Sequence, residues 1–354
     1  MKKRESYYKW ELVILLWLAF FLNQGDRQIY NVVIPLIKAD LGFSDVQLGL
    51  VATVFTLFYG VLVPFAGYAG DVLRRKWIVF FSLLIFSLGT LFTGISNSIL
   101  MLILFRSITT GGGEAFYYPA ANSLLGQFHH KTRAMAMSIH QTALYVGIVA
   151  SGFLAGFIGE NFGWRSTFYV FGAAGILWAI VVGIRMKDTP LNNTSKDPVQ
   201  RIPMRLLVQK IFKKRTVWML CIAFGTMVFV NMGYLTWMPT YLHENFSLSL
   251  TNAGFSSMFY HHLFAFFGVL IGGKLSDRWA VKHKKVRIIT EYTGLLLGAP
   301  FIFLMGFSEN LILCYTGLAI FGFFRGVYDS NLFAALFDVI EPKYRASSVG
   351  VMLA

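Results

Sequence analysis

The sequence predicts an all-α membrane protein that crosses the bilayer many times, and three observations support this fold class. Of the 354 residues, 56% are hydrophobic and only 14% are charged, whereas soluble domains carry about 25% charged residues. The mean hydropathy is +0.60. Apolar runs of about 20 residues, the length that a helix needs to cross a bilayer, recur along the whole chain.

Ten apolar runs are predicted to span the membrane, and the basic residues between them predict the orientation. With a cytoplasmic N-terminus, 26 of the 31 Lys and Arg residues lie in or beside cytoplasmic segments, as the positive-inside rule requires. The net charge of +14 is thus explained by topology and gives no reason to expect a nucleic-acid partner. The expected location is the cell (inner or plasma) membrane. The predicted spans are 12–37, 46–70, 77–96, 99–126, 134–159, 167–186, 216–242, 251–273, 287–307 and 310–338.

The first ten residues, MKKRESYYKW, are similar to the basic region of a signal peptide. No cleavage site of small residues follows them, so we expect the first span to be retained. Cys221 and Cys314 lie singly inside two different spans, which predicts ordinary buried thiols and no disulfide or metal site. No cofactor is expected.

A single long polar segment divides the chain. Residues 187–215 begin with turn-forming residues and end with a basic amphipathic stretch, which predicts a cytoplasmic loop that lies partly on the membrane surface. The predicted organisation is a six-helix half at 1–186, the central loop at 187–215, and a second half at 216–354.

A short motif occurs once in each half. GYAGD (67–71) follows the second span and GKLSD (273–277) follows the eighth, 206 residues later, and a basic cluster comes after each copy. KTR (131–133) and KYR (343–345) are separated by a similar 212 residues. Two matches at nearly one offset predict duplicated halves.

This Gly-x-x-x-Asp motif with its basic cluster resembles the signature loop of the major facilitator superfamily. The resemblance implies a fold of two six-helix halves, and an expected gating role for Gly67, Asp71, Arg75, Gly273, Asp277 and Arg278. The first copy departs from the usual pattern at Val72 and Arg74, and the second copy at Ala280. Because such proteins usually have twelve spans, we expect this chain to be truncated after its tenth.

Charged residues inside the spans are the main functional signal, since each costs about 2.5–3.5 kcal/mol or more at membrane depth. Asp26 and Arg27 are adjacent in the first span, and their side chains leave a helix about 100° apart. In the fourth span, Arg106, Thr110, Glu114 and Tyr118 recur every four residues and are predicted to share one helical row. Glu114 is interpreted as a protonatable acid facing a cavity, or alternatively as half of a structural Glu–Arg pair.

Asp26-Arg27 in the first span with Gly-x-x-Glu-Ala in the fourth resembles the anion:cation symporter family, and secondly the spinster-type lysolipid transporters. The resemblance implies proton coupling through Asp26 and Glu114, and binding of an anionic substrate group by Arg27. An arginine suits this role because its planar fork binds a carboxylate through two parallel hydrogen bonds. Asp26 and Glu114 are then two acids near one cation, and an arriving anion favours protonation of one of them.

Further residues are expected to line the substrate cavity: Tyr30, Asn31, Tyr118, Asn231, Tyr234, Trp237, His261, Arg325 and Asp329. Two alternatives stay open here. Arg325 and Asp329, at i and i+4, can neutralise each other within one helix. His261 and His262 can be packing residues or a secondary proton site, and no third ligand at a suitable spacing indicates a metal.

The predicted function is proton-coupled symport of a small organic anion, such as a sugar acid or another carboxylate, by a monomer in contact with membrane lipid. Sodium in place of the proton stays open. The alternatives are transport of a lysolipid, favoured by an apolar and laterally open cavity, and a non-transporting membrane receptor on the same fold. A membrane enzyme is disfavoured, since no nucleophile–base pair or metal triad is present.

Overall fold

The computed structural model describes residues 2–129, 132–187, 215–280, 285–340 and 352 of the chain. All regular structure in these residues is helical, which confirms the predicted fold class. The central segment 188–214, with its predicted amphipathic stretch, lies outside the described residues. The described helices are α1 (Lys2–Leu41), α2 (Asp45–Val72), α3 (Arg75–Thr93), α4 (Ile99–Phe128), α5 (Arg133–Phe162), α6 (Trp164–Arg185), α7 (Arg215–Phe246), α8 (Leu250–Ala280), α9 (Val286–Phe307), α10 (Leu311–Asp329) and α11 (Leu332–Val339).

Nine helices of the described ranges, α2 to α10, are long and apolar enough to cross a membrane. The chain is therefore a multi-pass membrane protein. Helix α1, predicted as the first of ten spans, has 40 residues and ample length, but polar residues in its middle lower its hydropathy. Those side chains are buried inside the protein, namely Asn23, Gln24, Asp26 and Gln28.

The chain forms two compact units. The first consists of Met1–Asp197 with Ser249–Phe255, and the second of Pro198–Leu248 with Ser256–Ala354. The division into halves at residues 186 and 216 stays a prediction.

Helix α1 packs along α5 in the first unit, while α3 packs against both α4 and α6. Small residues allow these close approaches. A Cβ atom on Gly113 of α4 would lie 2.6 Å from the backbone nitrogen of Phe86 on α3, and one on Gly172 of α6 would lie 2.7 Å from that of Leu91. Helices in membranes use glycine at such contacts because it lets two backbones approach.

Asp40 connects the C-terminal end of α1 to the N-terminal end of α6, beyond the predicted first span. Its carboxylate accepts hydrogen bonds from Arg165 and, at 3.0 Å, from the indole nitrogen of Trp164. These hydrogen bonds, led by that of Arg165, hold the pKa of the Asp40 carboxyl below its ordinary value.

Glycines also bring α8 and α10 together in the second unit. Gly322 and Gly326 of α10 lie against the backbone carbonyls of His261 and Ala265, so that a side chain at either glycine would collide with α8. A separate apolar cluster joins α7, α10 and α11, and its buried residues are Val217, Leu220, Met227, Tyr328, Leu332, Ala335, Leu336, Ile340 and Met352.

The tenth predicted span, 310–338, is wrong as a single helix. Helix α10 ends at Asp329, a turn follows at Ser330 and Asn331, and α11 begins at Leu332. The side chain of Asn331 in this turn bonds to a different helix: its Oδ1 accepts a 2.6 Å hydrogen bond from Ser276 of α8. Short polar side chains that bond outside their own helix are suited to such a break.

Candidate functional site

The first unit contains an ion pair between the first and fourth predicted spans. The Nε of Arg27 on α1 donates to Oε2 of Glu114 on α4 at 2.5 Å. The Glu114 side chain is fully buried, whereas 22% of the Arg27 side chain is exposed. The second carboxyl oxygen, Oε1 of Glu114, has no hydrogen-bond partner. The acid of this pair is thus shielded from solvent, whereas the cation is partly accessible.

Aromatic rings of α2 cover the Arg27 guanidinium. Its central carbon lies 4.3 Å from the ring centre of Tyr59 and 5.6 Å from that of Phe55. Rings at this distance stabilise a cation without neutralising it. The Arg27 guanidinium is thus held by the Tyr59 ring and the Glu114 carboxylate, while part of its side chain is exposed.

Asp26 has a different environment from its neighbour in sequence. Its carboxylate is 3% exposed and accepts a 2.5 Å hydrogen bond from the hydroxyl of Thr90 on α3. It lies within electrostatic reach of Arg106, Glu114 and Arg27. The two adjacent charges of α1 are thus directed toward different helices, Asp26 toward α3 and Arg27 toward α4.

Arg106 is a second buried cation at this site. Only 4% of it is exposed, its Nη2 donates to the backbone carbonyl of Arg27 at 3.1 Å, and its Nη1 has no hydrogen-bond partner. Its guanidinium lies 4.7 Å from the ring centre of Phe55. It interacts electrostatically with both Asp26 and Glu114. The expectation of two acids near one cation is therefore wrong, since two acids lie near two cations.

Helix α4 is not α-helical throughout. Residues Ile103–Thr109 form a π-helical stretch, and the hydroxyls of Thr109 and Thr110 donate to the carbonyls five residues earlier, each at 2.9 Å. A π-helix turns less per residue than an α-helix, so the predicted four-residue row does not pass straight through this stretch. Arg106 consequently meets the α1 backbone, while Glu114 meets the Arg27 side chain.

The other predicted residues of this unit have partners of their own. The buried hydroxyl of Tyr30 donates to the carbonyl of Leu48 at 2.9 Å. The Nδ2 of Asn31 donates to Oε1 of Gln28 at 3.4 Å. Tyr118 is 40% exposed and donates to Gln141 at 3.2 Å. The structure thus brings Asp26, Arg27 and Glu114 together, and leaves Tyr118 with an exposed face.

The second unit has a polar cluster around His261, whose side chain is fully buried on α8. Nη1 of Arg325 donates to its Nε2 at 2.9 Å. Arginine has no acceptor, so Nε2 accepts and the proton of the neutral imidazole lies on Nδ1, which has no hydrogen-bond partner. Arg325 also lies 3.5 Å from the carboxylate of Asp329, in line with the alternative that these two neutralise each other.

Aromatic residues surround the same histidine. The Tyr234 ring lies 4.5 Å from the His261 ring, and the Tyr234 hydroxyl donates to the Ser257 carbonyl. Asn231 and Trp237 on α7 are half-buried, and Oδ1 of Asn231 has no hydrogen-bond partner. The predicted residues of spans 7, 8 and 10 thus include a connected group, Tyr234, His261, Arg325 and Asp329.

Comparison with known proteins places the chain in a family. The model of the Major Facilitator Superfamily matches residues 16–354. The chain belongs to the major facilitator superfamily. A solved relative with the same fold is the bacterial homolog to human lysosomal transporter Spinster, in an inward-facing and unoccupied conformation. Its TM-score is 0.85 at 24% identity, covering 98% of this chain and 78% of that one, and at this identity the likeness shows the fold alone.

Two curated relatives are transporters of anions by name. The chain is 24% identical to the hexuronate transporter of Bacillus subtilis (strain 168), over 97% of this chain and 83% of the relative. It is 29% identical to the chloroplastic sodium-dependent phosphate transport protein 1 of Arabidopsis thaliana, over 71% of this chain. The match spans 52% of that plant relative, about half of its length.

The superfamily's signature loops are described only in part. Gly67, Asp71 and Asp277 lie outside the residues whose surroundings the structure describes. Arg75 is the first residue of α3, and Gly273 and Arg278 lie on α8, where Arg278 is exposed. The gating role of these six residues stays a prediction.

Sequence reasoning missed three features of the site: Thr90, the ring of Tyr59, and the position of Arg106. Thr90 and Tyr59 lie on helices that carry no charge in their middle, so no signal in the sequence indicated them. Arg106 is recognisable in the sequence as a charge inside a span, but its bond to the backbone carbonyl of Arg27 is not.

Proposed function

We propose that the protein is a secondary transporter that carries a small organic anion together with a proton, by alternating access between the two sides of the membrane. The main support is the Arg27–Glu114 pair, whose cation is partly exposed while its acid is fully buried. The family and the names of the curated relatives agree with transport of an anion. The proposed location is the cell membrane, with the N-terminus in the cytoplasm.

The anion is proposed to bind at Arg27. A carboxylate that reaches the exposed side of this guanidinium replaces the bond to Glu114 with a bond to the substrate, and an arginine can hold it through two parallel hydrogen bonds. Arg106, whose Nη1 is unpartnered, adds a second positive charge behind the site. A sugar acid of the hexuronate class is the proposed substrate, and it would bring hydroxyl groups for hydrogen bonds to polar side chains.

We base the proposed proton coupling on the charge balance of the site. With both arginines charged and both acids ionised, the four side chains carry no net charge, and an incoming monoanion makes the site negative. An unbalanced charge in a low-dielectric interior is costly. Protonation of Glu114, once Arg27 has turned to the substrate, restores neutrality and links anion movement to proton movement.

The test is uptake of labelled anions by the full chain in proteoliposomes. The panel contains a hexuronate, a second sugar acid, inorganic phosphate and a lysophospholipid, each with a pH gradient, a sodium gradient or no gradient. We expect a sugar acid to accumulate when the outside is acidic, and to show no response to sodium.

Each alternative has its own outcome. Accumulation driven only by sodium would contradict proton coupling and leave anion transport in place. Movement of the lysophospholipid but of no anion would favour the spinster-like alternative. Saturable binding of an anion without any uptake or exchange would show a receptor, and would overturn the proposal.

A further inference from the structure

Helix α9 of the second unit contains a buried acid that the proposed function does not use. Glu291 is 4% exposed, and its Oε1 has no hydrogen-bond partner. It is five residues beyond the start of α9, which corresponds to roughly 7.5 Å along the helix axis. Buried carboxyl groups are normally paired or hydrogen-bonded, so an exception requires an explanation.

The surroundings of Glu291 are mainly apolar. At Gly294, one turn later, α9 lies directly against α10, where a Cβ atom would come within 3.0 Å of the backbone nitrogen of Tyr328. Tyr328 belongs to the apolar cluster between α7, α10 and α11, and Leu295 of α9 packs against the same cluster. The Tyr328 hydroxyl is also buried without a hydrogen-bond partner, and it interacts electrostatically with Glu291.

No cation compensates this carboxyl group among the described residues. The described titratable group that interacts electrostatically with Glu291 is the Tyr328 phenol on α10, and the Cys221 thiol of α7 packs against the same apolar cluster. Neither of these carries a positive charge. Arg287, one turn earlier on α9, has an interaction of its own and makes no ion pair with Glu291. The described side chains of α11 in the cluster are apolar.

We propose that Glu291 is a proton-binding site of the second unit, distinct from Asp26 and Glu114, and that it holds its proton while α9 packs against α10. An ionised carboxylate here would be buried beside a phenol, with no counter-charge among the described residues, whereas the protonated acid is neutral and can donate a hydrogen bond. Loss of this proton therefore destabilises the contact between α9 and the α10–α11 cluster.

The test is infrared spectroscopy of the full chain in liposomes, in which a protonated carboxyl group gives a carbonyl band separate from that of a carboxylate. The variant is Glu291→Gln, and the matched control is Glu309→Gln, an exposed acid in the turn before α10. At neutral pH we expect the wild type to show a protonated-carboxyl band that is absent from Glu291→Gln and unchanged in the control. Thermal unfolding midpoints of wild type and Glu291→Gln should agree at low pH and separate as the pH rises, with the wild type lower.

Two results would overturn this inference. The first is an infrared spectrum at neutral pH in which the protonated-carboxyl bands of wild type and Glu291→Gln are the same, because Glu291 is then ionised in the wild type. The second is a Glu291→Gln chain that fails to fold, because glutamine keeps the shape and the neutrality of the protonated acid. Neither measurement involves substrate, so the result is independent of the proposed transport activity.

Discussion

Replacing Glu114 by glutamine is the sharpest perturbation of the proposed coupling site. Glutamine has nearly the same shape, and its side-chain oxygen can still accept the hydrogen bond that Arg27 donates at 2.5 Å. What it removes is the negative charge, as permanent protonation would. We therefore expect Glu114→Gln to fold, to bind the anion and to exchange it across the membrane, but to lose accumulation driven by a pH gradient.

The magnitudes follow from the buried position of the acid. Breaking a buried ion pair by removal of one partner costs about 3–5 kcal/mol, and the fully buried Glu114 side chain belongs to this class. In Glu114→Gln the substrate no longer competes with a carboxylate for Arg27. At neutral pH the affinity for the substrate should therefore rise at least about tenfold, which corresponds to about 1.4 kcal/mol of binding free energy. One coupled proton crossing a gradient of one pH unit supplies about 1.4 kcal/mol, enough for about tenfold accumulation in the wild type, against none in the variant.

The assay compares three proteins in the same liposomes: wild type, Glu114→Gln, and Glu309→Gln as a control for a lost surface charge. Counterflow exchange measures the conformational cycle without a gradient, and uptake with an imposed pH gradient measures coupling. Retained exchange with abolished accumulation would agree with the assignment. If Glu114→Gln concentrates the anion as well as wild type does, Glu114 is not the coupling acid.

Three further predictions concern other parts of the first unit. Arg27→Lys should keep the fold but weaken anion binding by about ten- to hundredfold, because a lysine cannot form two parallel hydrogen bonds with a carboxylate; equal affinities in calorimetry would contradict this. Gly113→Ala should lower stability by about 1–3 kcal/mol, since its Cβ would lie 2.6 Å from the backbone of α3, whereas Gly60→Ala has open space and should be tolerated; equal melting temperatures of the two variants would show that the close contact is absent. The hydrogen bond from Arg165 lowers the pKa of Asp40 in the folded state. The ionised Asp40 therefore stabilises the fold above the unfolded pKa of about 3.9, and this stabilisation is lost as the pH falls through the folded pKa. The melting-temperature difference between wild type and Asp40→Asn should shrink in acid, and a difference that does not change with pH would contradict the role of the Asp40 charge.

The parts of the molecule that could be predicted from sequence are those set by the membrane. An apolar run of span length has few options in lipid, so the helices and their approximate bounds follow from composition. The divergence of Asp26 and Arg27 follows from the 100° step of a helix, and the structure indeed gives these side chains different partners. Only local geometry is needed for these inferences.

The parts that could not be predicted depend on irregular helix geometry and on contacts between helices. The predicted row of polar residues in α4 requires 3.6 residues per turn throughout, and the π-helical stretch Ile103–Thr109 departs from that geometry. Asn331, in the turn after the end of α10, accepts a hydrogen bond from Ser276, 55 residues away in sequence, and no pattern within one helix indicates this contact. The contact of His261 with Arg325 likewise depends on how α8 and α10 are aligned, which spacing within one helix does not determine.

The π-helical stretch has a consequence for the charge balance of the site. Arg106 and Glu114 are eight residues apart, roughly 12 Å along an α-helix, so they could not form a direct ion pair in a regular α4, and the π-helical stretch changes the faces on which they lie. With the π-helical stretch, Glu114 pairs with Arg27, and Arg106 donates to the carbonyl of Arg27 instead. Arg106 thus bonds to a backbone carbonyl and to no described carboxylate, while Asp26 accepts a hydrogen bond from Thr90. The cation that must change partner during the proposed cycle is therefore Arg27, whereas Arg106 is bonded to the backbone of α1 and lies near both acids.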